Sequence, residues 1–230
     1  MAERLIDKIN VKNIIFDFDG TLVDSSIDII QCLVQAYSNL SISMKITPTK
    51  SIIGPPLEKI IRQVSPDISD ETTNLIIKEF RLLYEKSGFP NTITYCGVPE
   101  LLENLKSEDI RLFIATNKPI RFVTHIINKL NINYFVDVAS LDLIFGKTMD
   151  KSDMLKFLVK KWNLNVSESM MVGDSELDIL AALENGMIPV AFTGGYGNLV
   201  NIYNKNHDIY FISNLHKLQS LLLTKFVVDK

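Results

Sequence analysis

The sequence predicts an α/β fold in which a doubly wound, Rossmann-like parallel sheet forms the core and an all-helical cap domain is inserted into it. Short apolar runs alternate with segments of helical periodicity, which is typical of a parallel sheet covered by helices. Between residues 24 and 92 the alternation stops and only helical patterns occur. Polar and acidic residues follow three of the apolar runs, at the sheet edge where doubly wound folds bind ligands.

The strands are predicted from apolar runs that carry little charge, as expected of parallel strands buried on both faces. In chain order the runs are NIIF (13–16), RLFIAT (111–116), YFVDVA (134–139), SMMVG (169–173), IPVAF (188–192) and DIYFI (208–212).

Apolar residues at helical spacing predict helices between these strands. The stripes of the core are Val98, Leu101, Leu102 and Leu105; Phe122, Ile126, Ile127 and Leu130; and Met154, Leu155, Leu158, Val159 and Trp162. Three further stripes, within 29–40, 57–64 and 76–84, fall in the block without strands. We therefore predict a core of residues 1–22 and 93–230, and a helical cap of residues 23–92 inserted after the first strand.

The composition is that of an ordinary globular chain, with 230 residues, 47% hydrophobic and 22% charged. A net charge of −3 provides no basic surface for nucleic acid. No run approaches the roughly 18 apolar residues of a membrane span, and residues 1–10 lack the apolar core of a signal peptide. Two cysteines in no metal-binding pattern fit a reducing compartment. We expect a cytoplasmic monomer or homodimer that binds a small molecule and neither nucleic acid nor a membrane.

Carboxylates gather where the first and fourth predicted strands end. Asp17 and Asp19 follow NIIF, and Asp174 and Asp178 follow SMMV. Two unit charges about 4 Å apart repel by roughly 4 kcal/mol at an effective dielectric constant of 20, so four acids at one crevice do not stabilise a fold. Either some are protonated or a cation lies among them, and oxygen ligands without His or Cys favour Mg²⁺ over Zn²⁺.

The segment DFDGT (17–21) has the residues that phosphoryl chemistry needs. Asp17 and Asp19 are two residues apart on an extended segment, so both side chains face the same way. One carboxylate can attack a phosphorus while the other passes a proton to the leaving oxygen. Gly20 allows backbone N–H groups to approach an anion. The alternative, a strand followed by an Asp/Gly turn, does not explain why acids recur at Asp174 and Asp178.

Three motifs resemble those of the haloacid dehalogenase-like hydrolase superfamily, specifically its phosphatases. They are DFDGTLVDS (17–25), the threonine of IATNK (114–118) and VGDSELDIL (172–180). Their order and the helical insert after the first motif are similar to the phosphoglycolate-phosphatase-like branch. YCGVPELLENLK (95–106) resembles the return of that branch from cap to core.

The resemblance implies roles for the two acids of the first motif. Asp17 is the nucleophile that forms an aspartyl-phosphate, and it is also a metal ligand. Asp19 is the general acid and then the base that activates water, and its main-chain carbonyl binds Mg²⁺.

It also implies a phosphate site and a metal site. Thr116 and the backbone of Asn117 hold the phosphoryl oxygens, together with Gly20. Asp174 is a metal ligand, and Asp178 supports the metal-bound waters.

The branch also has a lysine that neutralises the nucleophile and the phosphate, which suits the charge on a transferring phosphoryl group. In the branch this lysine is often followed by proline, whereas the corresponding segment of this chain, FGKTMDKSDML (145–155), contains no proline. We assign the role to Lys151, because it opens the helix that leads to the SMMVG strand. Lys147 is the alternative.

Two further segments have two interpretations each. IIGPPLEKIIRQ (52–63) either places Gly54, Pro55 and Pro56 over the substrate, with Lys59 or Arg62 reaching a second anionic group, or is a stiff loop with solvated charges. GGYGN (194–198) is either a mobile loop near the site or only a turn.

The sequence thus predicts a Mg²⁺-dependent phosphatase that hydrolyses a small, phosphoglycolate-like phosphate monoester. The alternatives are phosphoryl mutase chemistry, dehalogenation, and nucleotidase or pyrophosphatase specificity. Asp19 argues against dehalogenation, which does not need the second acid. A signalling receiver domain shares Asp, Thr and Lys around Mg²⁺ but has no helical insert, and a binding protein without turnover would have little use for four acids.

Overall fold

A computed structural model describes residues 10–143, 148–203 and 209–223. Within these residues, six parallel strands form one sheet in the order β5-β4-β1-β6-β7-β8. The strands are β1 (Asn13–Phe16), β4 (Arg111–Thr116), β5 (Asp137–Ser140), β6 (Ser169–Gly173), β7 (Ile188–Phe192) and β8 (Tyr210–Ile212). Because the chain passes from β1 outward to β5 and then returns beside β1 as β6, this is the doubly wound order, whose ligand crevice lies between β1 and β6. The predicted fold class is confirmed.

Helices cover both faces of the sheet. They are α4 (Val98–Ser107), α5 (Ile120–Lys129), α6 (Lys151–Trp162), α7 (Glu176–Glu184), α8 (Val200–Tyr203) and α9 (His216–Leu223). Alternate strand residues point to opposite faces. Ile14, Ile114 and Val172 therefore share a core with α4, α5 and α9. Ile15 and Met171 share another with α6 and α7.

A helical segment follows β1, as predicted. It consists of α1 (Ser26–Asn39), a short 3₁₀ turn (Lys50–Ile52), α2 (Leu57–Val64) and α3 (Asp70–Ser87). Ser69 caps the start of α3 by accepting a hydrogen bond from the N–H of Thr72, and Gly88 ends it at a φ of 67°. That this segment is a separate cap domain, with boundaries at 22/23 and 92/93, stays a prediction.

The sequence did not predict a two-stranded antiparallel ribbon that flanks the helical segment. It pairs β2 (Val23–Asp24) with β3 (Ile93–Thr94). Each strand has only two residues, too few to show an alternating pattern. The chain thus leaves and re-enters the core at neighbouring points.

Two strands begin later than the sequence predicts. The run YFVDVA predicts a strand from residue 134, but β5 begins at Asp137, where pairing with Phe113 starts. Tyr134 and Phe135 precede the strand and pack against the hydrophobic core, which explains their apolar side chains. The last strand begins at Tyr210, and residue 208 lies outside the described residues. No helix among the described residues is long and apolar enough to span a membrane.

The buried carboxylate of Asp28, in α1, connects the segment that leaves the core with the segment that returns to it. Substitution of Asp28 tests how much this connection stabilises the fold. Asp28 accepts hydrogen bonds from Asn91 Nδ2 (2.9 Å), Asn91 N (3.1 Å) and Thr92 Oγ1 (2.6 Å). Asp28→Ala leaves these donors without their acceptor, so we expect the free energy of unfolding in urea to fall by about 3 kcal/mol. Asp67→Ala, which removes the exposed partner of Lys45, is the control with a loss under about 0.5 kcal/mol. Equal losses in the two variants would contradict the assigned role of Asp28.

Candidate active site

Three buried carboxylates meet at the carboxyl ends of β1 and β6. Asp17 follows β1 directly, and its N–H donates to the carbonyl oxygen of Val172 (2.9 Å), which continues the ladder between the strands. Asp174 follows β6, and Asp178 lies in the first turn of α7. One oxygen of each carboxylate lies within 4.8 Å of one oxygen of the other two. The sheet register therefore brings together acids that are far apart in the chain.

Lys151 enters this cluster from the start of α6. The Asp150 side chain accepts from the N–H of Asp153 and so fixes where the helix begins. Lys151 Nζ lies 2.7 Å from Asp17 Oδ1, 2.9 Å from Asp178 Oδ1 and 2.8 Å from the carbonyl oxygen of Ala115. Burial lowers the pKa of Lys151, but the charges of Asp17 and Asp178 outweigh burial and leave its pKa raised. The ammonium group is thus a fixed positive charge beside Asp17.

The pKa values of two acids in the cluster are raised, first by burial and then by neighbouring carboxylates. Burial raises the pKa of Asp17 well above the usual range of a carboxyl, and Asp178 and Asp174 raise it further, although Lys151 opposes them. Burial and the charge of Asp178 raise the pKa of Asp174 to about 6, against the effect of hydrogen bonds from two backbone N–H groups. An additional cation would favour the ionised forms of both carboxyls.

Lys118 is a second buried lysine at the site, and the sequence reasoning missed it. Its Nζ lies 2.8 Å from each oxygen of the Asp19 carboxylate, which also accepts from the hydroxyl of Ser25. Burial lowers the pKa of Lys118, but Asp19 outweighs burial and leaves it raised. The signal was present in the sequence, because Lys118 is two residues after Thr116 in the IATNK motif.

The loop after β7 forms a cradle for Asp174. The N–H groups of Tyr196 and Gly197 both donate to Asp174 Oδ2 at 2.9 Å. At Gly195 a Cβ atom would lie 2.3 Å from Asp174 Cβ, so only glycine allows this approach. Of the two interpretations of GGYGN, the structure supports a segment that contacts the site.

Glycine is also required at position 20. Its φ is +92°, and a Cβ atom there would lie 2.3 Å from Asp174 Oδ2. The Thr21 hydroxyl donates to Asp174 Oδ1 (3.3 Å). The turn after β1 therefore packs on Asp174.

Asp178 has a structural function and a function in the cluster at the same time. Ser175 and Asp178 form a capping box at the start of α7, in which Asp178 Oδ2 accepts from both the N–H and the hydroxyl of Ser175. Its Oδ1 faces Lys151. The helix cap thus orients the carboxylate toward the other acids.

The donor set fits a hard divalent cation. Asp17, Asp174 and Asp178 offer only carboxylate oxygens, which Mg²⁺ prefers. The site carboxylates, with Asp19 included, outnumber the two ammonium groups of Lys118 and Lys151 by two. When all are ionised, one divalent cation balances this excess.

A cavity of about 180 Å³ opens beside the acids. Asp17, Asp19, Thr116 and Asn117 line one part of it, and residues 53–58 with Ile60 line another. The Asn117 side chain donates to the carbonyl oxygen of Gly54 (2.9 Å), which links the sheet edge to the helical segment. Of the predicted phosphate-binding residues, Thr116 and Asn117 thus share one cavity with Asp17, whereas Gly20 and Lys151 are not part of its lining.

The structure brings some of the predicted substrate contacts to this cavity and not others. Gly54, Pro55 and Pro56 line it. Lys59 is exposed and does not line the cavity, and Arg62 instead pairs with Glu58 (3.1 Å) and Asp70 (2.6 Å). Both lie on the outer side of α2, as solvated charges usually do. Lys147, the alternative to Lys151, lies outside the described residues.

Comparison with known proteins identifies relatives over most of the chain. A family model described as haloacid dehalogenase-like hydrolase matches residues 14–192. A phosphoglycolate phosphatase of Vibrio parahaemolyticus is 32% identical over 208 residues, which cover 86% of this chain and 91% of the relative. A 5'-nucleotidase of Pseudomonas aeruginosa is 27% identical over 192 residues, covering 81% and 84%. The crystal structure of a predicted phosphatase from Clostridium acetobutylicum superimposes with a TM-score of 0.80 at 27% identity, covering 93% and 98% of the two chains.

Magnesium binding should depend on pH because protons compete for the same carboxylates. With the pKa of Asp174 at about 6 in the metal-free protein, we expect Mg²⁺ affinity to fall roughly tenfold between about pH 7.5 and pH 5, and the raised pKa of Asp17 acts in the same direction. Calorimetric titration measures this. Asp174→Asn should abolish the binding, whereas the exposed Asp67→Asn should leave it unchanged. Binding that does not vary with pH, or that survives Asp174→Asn, would contradict the assigned metal site.

Proposed function

Since the chain belongs to the haloacid dehalogenase-like hydrolase family and is a phosphatase of it, we propose that it hydrolyses a small phosphate monoester with Mg²⁺ and through an aspartyl-phosphate on Asp17. The observation that carries the proposal is the meeting of Asp17, Asp174, Asp178 and Lys151 at one sheet edge, beside a cavity. Phosphoryl transfer is catalysed mostly by positioning and by charge stabilisation, and this cluster can supply both.

In the first step, Asp17 attacks the phosphorus and the ester oxygen leaves. Lys151 Nζ, 2.7 Å from Asp17 Oδ1, holds the nucleophile and offsets negative charge as the phosphoryl group approaches. Thr116 and Asn117 line the cavity beside Asp17, where we propose that they bind the phosphoryl oxygens. Asp19 also lines the cavity and is proposed to protonate the leaving oxygen.

In the second step, water attacks the phosphorus of the aspartyl-phosphate, the bond between phosphorus and the Asp17 oxygen breaks, and inorganic phosphate leaves. We propose that Asp19 now accepts a proton from this water, while Lys118 and Ser25 keep its carboxylate in place. Asp17, Asp174 and the main-chain carbonyl of Asp19 would hold Mg²⁺, with Asp178 orienting its waters, and the ion supplies positive charge for the phosphoryl oxygens. The helical segment over the cavity would exclude bulk water as a cap.

The names of the relatives give two substrates to test first, phosphoglycolate and nucleoside monophosphates. Phosphate release from these, from sugar phosphates, pyrophosphate and 4-nitrophenyl phosphate, with Mg²⁺ or with EDTA, tests the proposal. We expect release only with the metal. Folded protein that releases phosphate from none of them would contradict a hydrolytic function. A cytoplasmic location and a monomeric or homodimeric state stay predictions.

Loss of the nucleophile should abolish turnover and leave the fold intact. Asp17→Asn keeps the shape of the side chain but removes the attacking charge, so we expect kcat to fall by at least about 10³-fold. Circular dichroism and the unfolding midpoint serve as the control for folding. A variant with near-normal turnover would rule out the aspartyl-phosphate mechanism.

The two candidate lysines can be separated by parallel substitutions. Lys151→Ala removes the ammonium group beside Asp17, and we expect kcat/KM to fall by at least about 10²-fold. Lys147→Ala should change kcat/KM by less than about threefold. Steady-state kinetics on the same ester compares them, and the reverse order of effects would move the role to Lys147.

A further inference from the structure

Apart from the acids and the phosphate-binding residues, the cavity is lined mainly by apolar side chains. The ones that define its character are Ile29, Ile60, Ile77, Phe80, Tyr84 and Phe122, from helices α1, α2, α3 and α5. If the phosphoryl group binds at Asp17, as proposed above, the leaving group of the substrate must occupy this space. We call this part of the cavity the leaving-group chamber.

Three aromatic rings that pack on one another form part of the wall of the chamber. Phe80 stacks on Tyr84 with ring centroids 5.3 Å apart and an interplanar angle of 15°. Phe122 meets Tyr84 edge-on at 5.1 Å and 89°. All three rings are buried. These rings can pack against an apolar or aromatic group, and they provide no positive charge to bind an anion.

The cations near the chamber are already paired or lie at the surface. Lys118 contacts both oxygens of Asp19, and Arg62 pairs with Glu58 and Asp70 outside the cavity. Among the described residues of the lining, the cation left is Arg81, whose side chain is exposed, and the acidic Glu58 also belongs to the lining. A carboxylate on the leaving group would therefore lose its hydration next to Asp17 and Asp19, without a buried cation to replace it.

One polar donor of the chamber has no acceptor. The hydroxyl of Tyr84 is buried and donates to no acceptor among the described residues. Lys118 Nζ, 5.0 Å from the ring centroid and paired with Asp19, interacts with the Tyr84 oxygen as a donor and leaves the O–H group unused. Burial raises the pKa of Tyr84 to about 12, so the hydroxyl is a donor at neutral pH. A buried donor without a partner is costly, and an oxygen of a ligand would satisfy it.

We propose that the chamber selects phosphate monoesters of uncharged alcohols with a compact apolar or aromatic body. An oxygen on this body, apart from the ester oxygen, accepts a hydrogen bond from the Tyr84 hydroxyl. Esters with a second acidic group, such as phosphoglycolate, are disfavoured. The volume limits the size of this body, since the whole cavity measures about 180 Å³, part of it beside the acids, and a cavity of about 150 Å³ is known to hold benzene. The inference rests on the proposed function, because that function places the phosphoryl group at Asp17.

Inert phosphonates test the inference without turnover. In calorimetric titration of the wild-type protein with Mg²⁺, 2-phenylethylphosphonate should bind at least about tenfold more tightly than 3-phosphonopropionate, which has a carboxylate in place of the ring. Equal or tighter binding of 3-phosphonopropionate would overturn the proposal. If the protein hydrolyses no ester but prefers the phenyl compound, the proposed hydrolytic function fails and the assigned selectivity stands.

Two variants assign the contacts. Phenoxymethylphosphonate has an ether oxygen where 2-phenylethylphosphonate has a methylene, so Tyr84→Phe should weaken the ether ligand at least about threefold and leave the methylene ligand within about twofold. The change keeps the buried ring, so the fold is retained. Arg81→Gln should leave both within about twofold. Equal effects of Tyr84→Phe on both ligands would overturn the hydrogen bond, and a loss of affinity above about tenfold in Arg81→Gln would overturn the apolar selection.

Discussion

The crowding of carboxylates at the ends of β1 and β6 is the constraint on which the rest of the site depends. Two ionised carboxylates about 4 Å apart repel by roughly 4 kcal/mol at an effective dielectric constant of 20, comparable to a large part of the stability of a domain. Two buried ammonium groups and a set of backbone N–H groups offset part of this repulsion. When all four acids are ionised, an excess of two negative charges remains, which fits the proposed divalent cation and, with it, the proposed phosphate ester.

The helix starts and turns around the acids keep the carboxylates close together despite their mutual repulsion. The cap of α6 at Asp150 places Lys151 where it meets Asp17, and the capping box of α7 turns Asp178 toward the same point. Gly20 and Gly195 leave room for the Asp174 side chain, which a Cβ atom at either position would meet at 2.3 Å. These local features follow from ordinary helix and turn chemistry, yet their shared result is the geometry of one cluster.

The features that the sequence predicts well are those with a strong local signal. The strands that contain NIIF, RLFIAT, SMMVG and IPVAF have the bounds that their apolar runs indicate, because they are buried on both faces. The acids are found because aspartates at strand ends have no structural reason to recur. Lys118 is missed although it lies in the IATNK motif, because nothing local shows that its side chain reaches Asp19. GGYGN is placed near the site only as one of two interpretations, because the hydrogen bond from the Tyr196 N–H to Asp174 has no local signal. The side of α2 on which Arg62 lies depends on packing against α3, which spacing alone does not determine.

Covalent attachment of phosphate to Asp17 is the central step of the proposed mechanism. Asp19→Asn should slow the water step by removing its base, while 4-nitrophenyl phosphate, with a good leaving group, needs no acid for the first step. The Asp19→Asn variant is mixed with 4-nitrophenyl phosphate and Mg²⁺, quenched with acid, and its peptides are measured by mass spectrometry. We predict that a phosphoryl group accumulates on Asp17 in proportion to the nitrophenol released in the burst. Release of nitrophenol with no phosphorylated peptide, or with the group on another residue, would contradict the account.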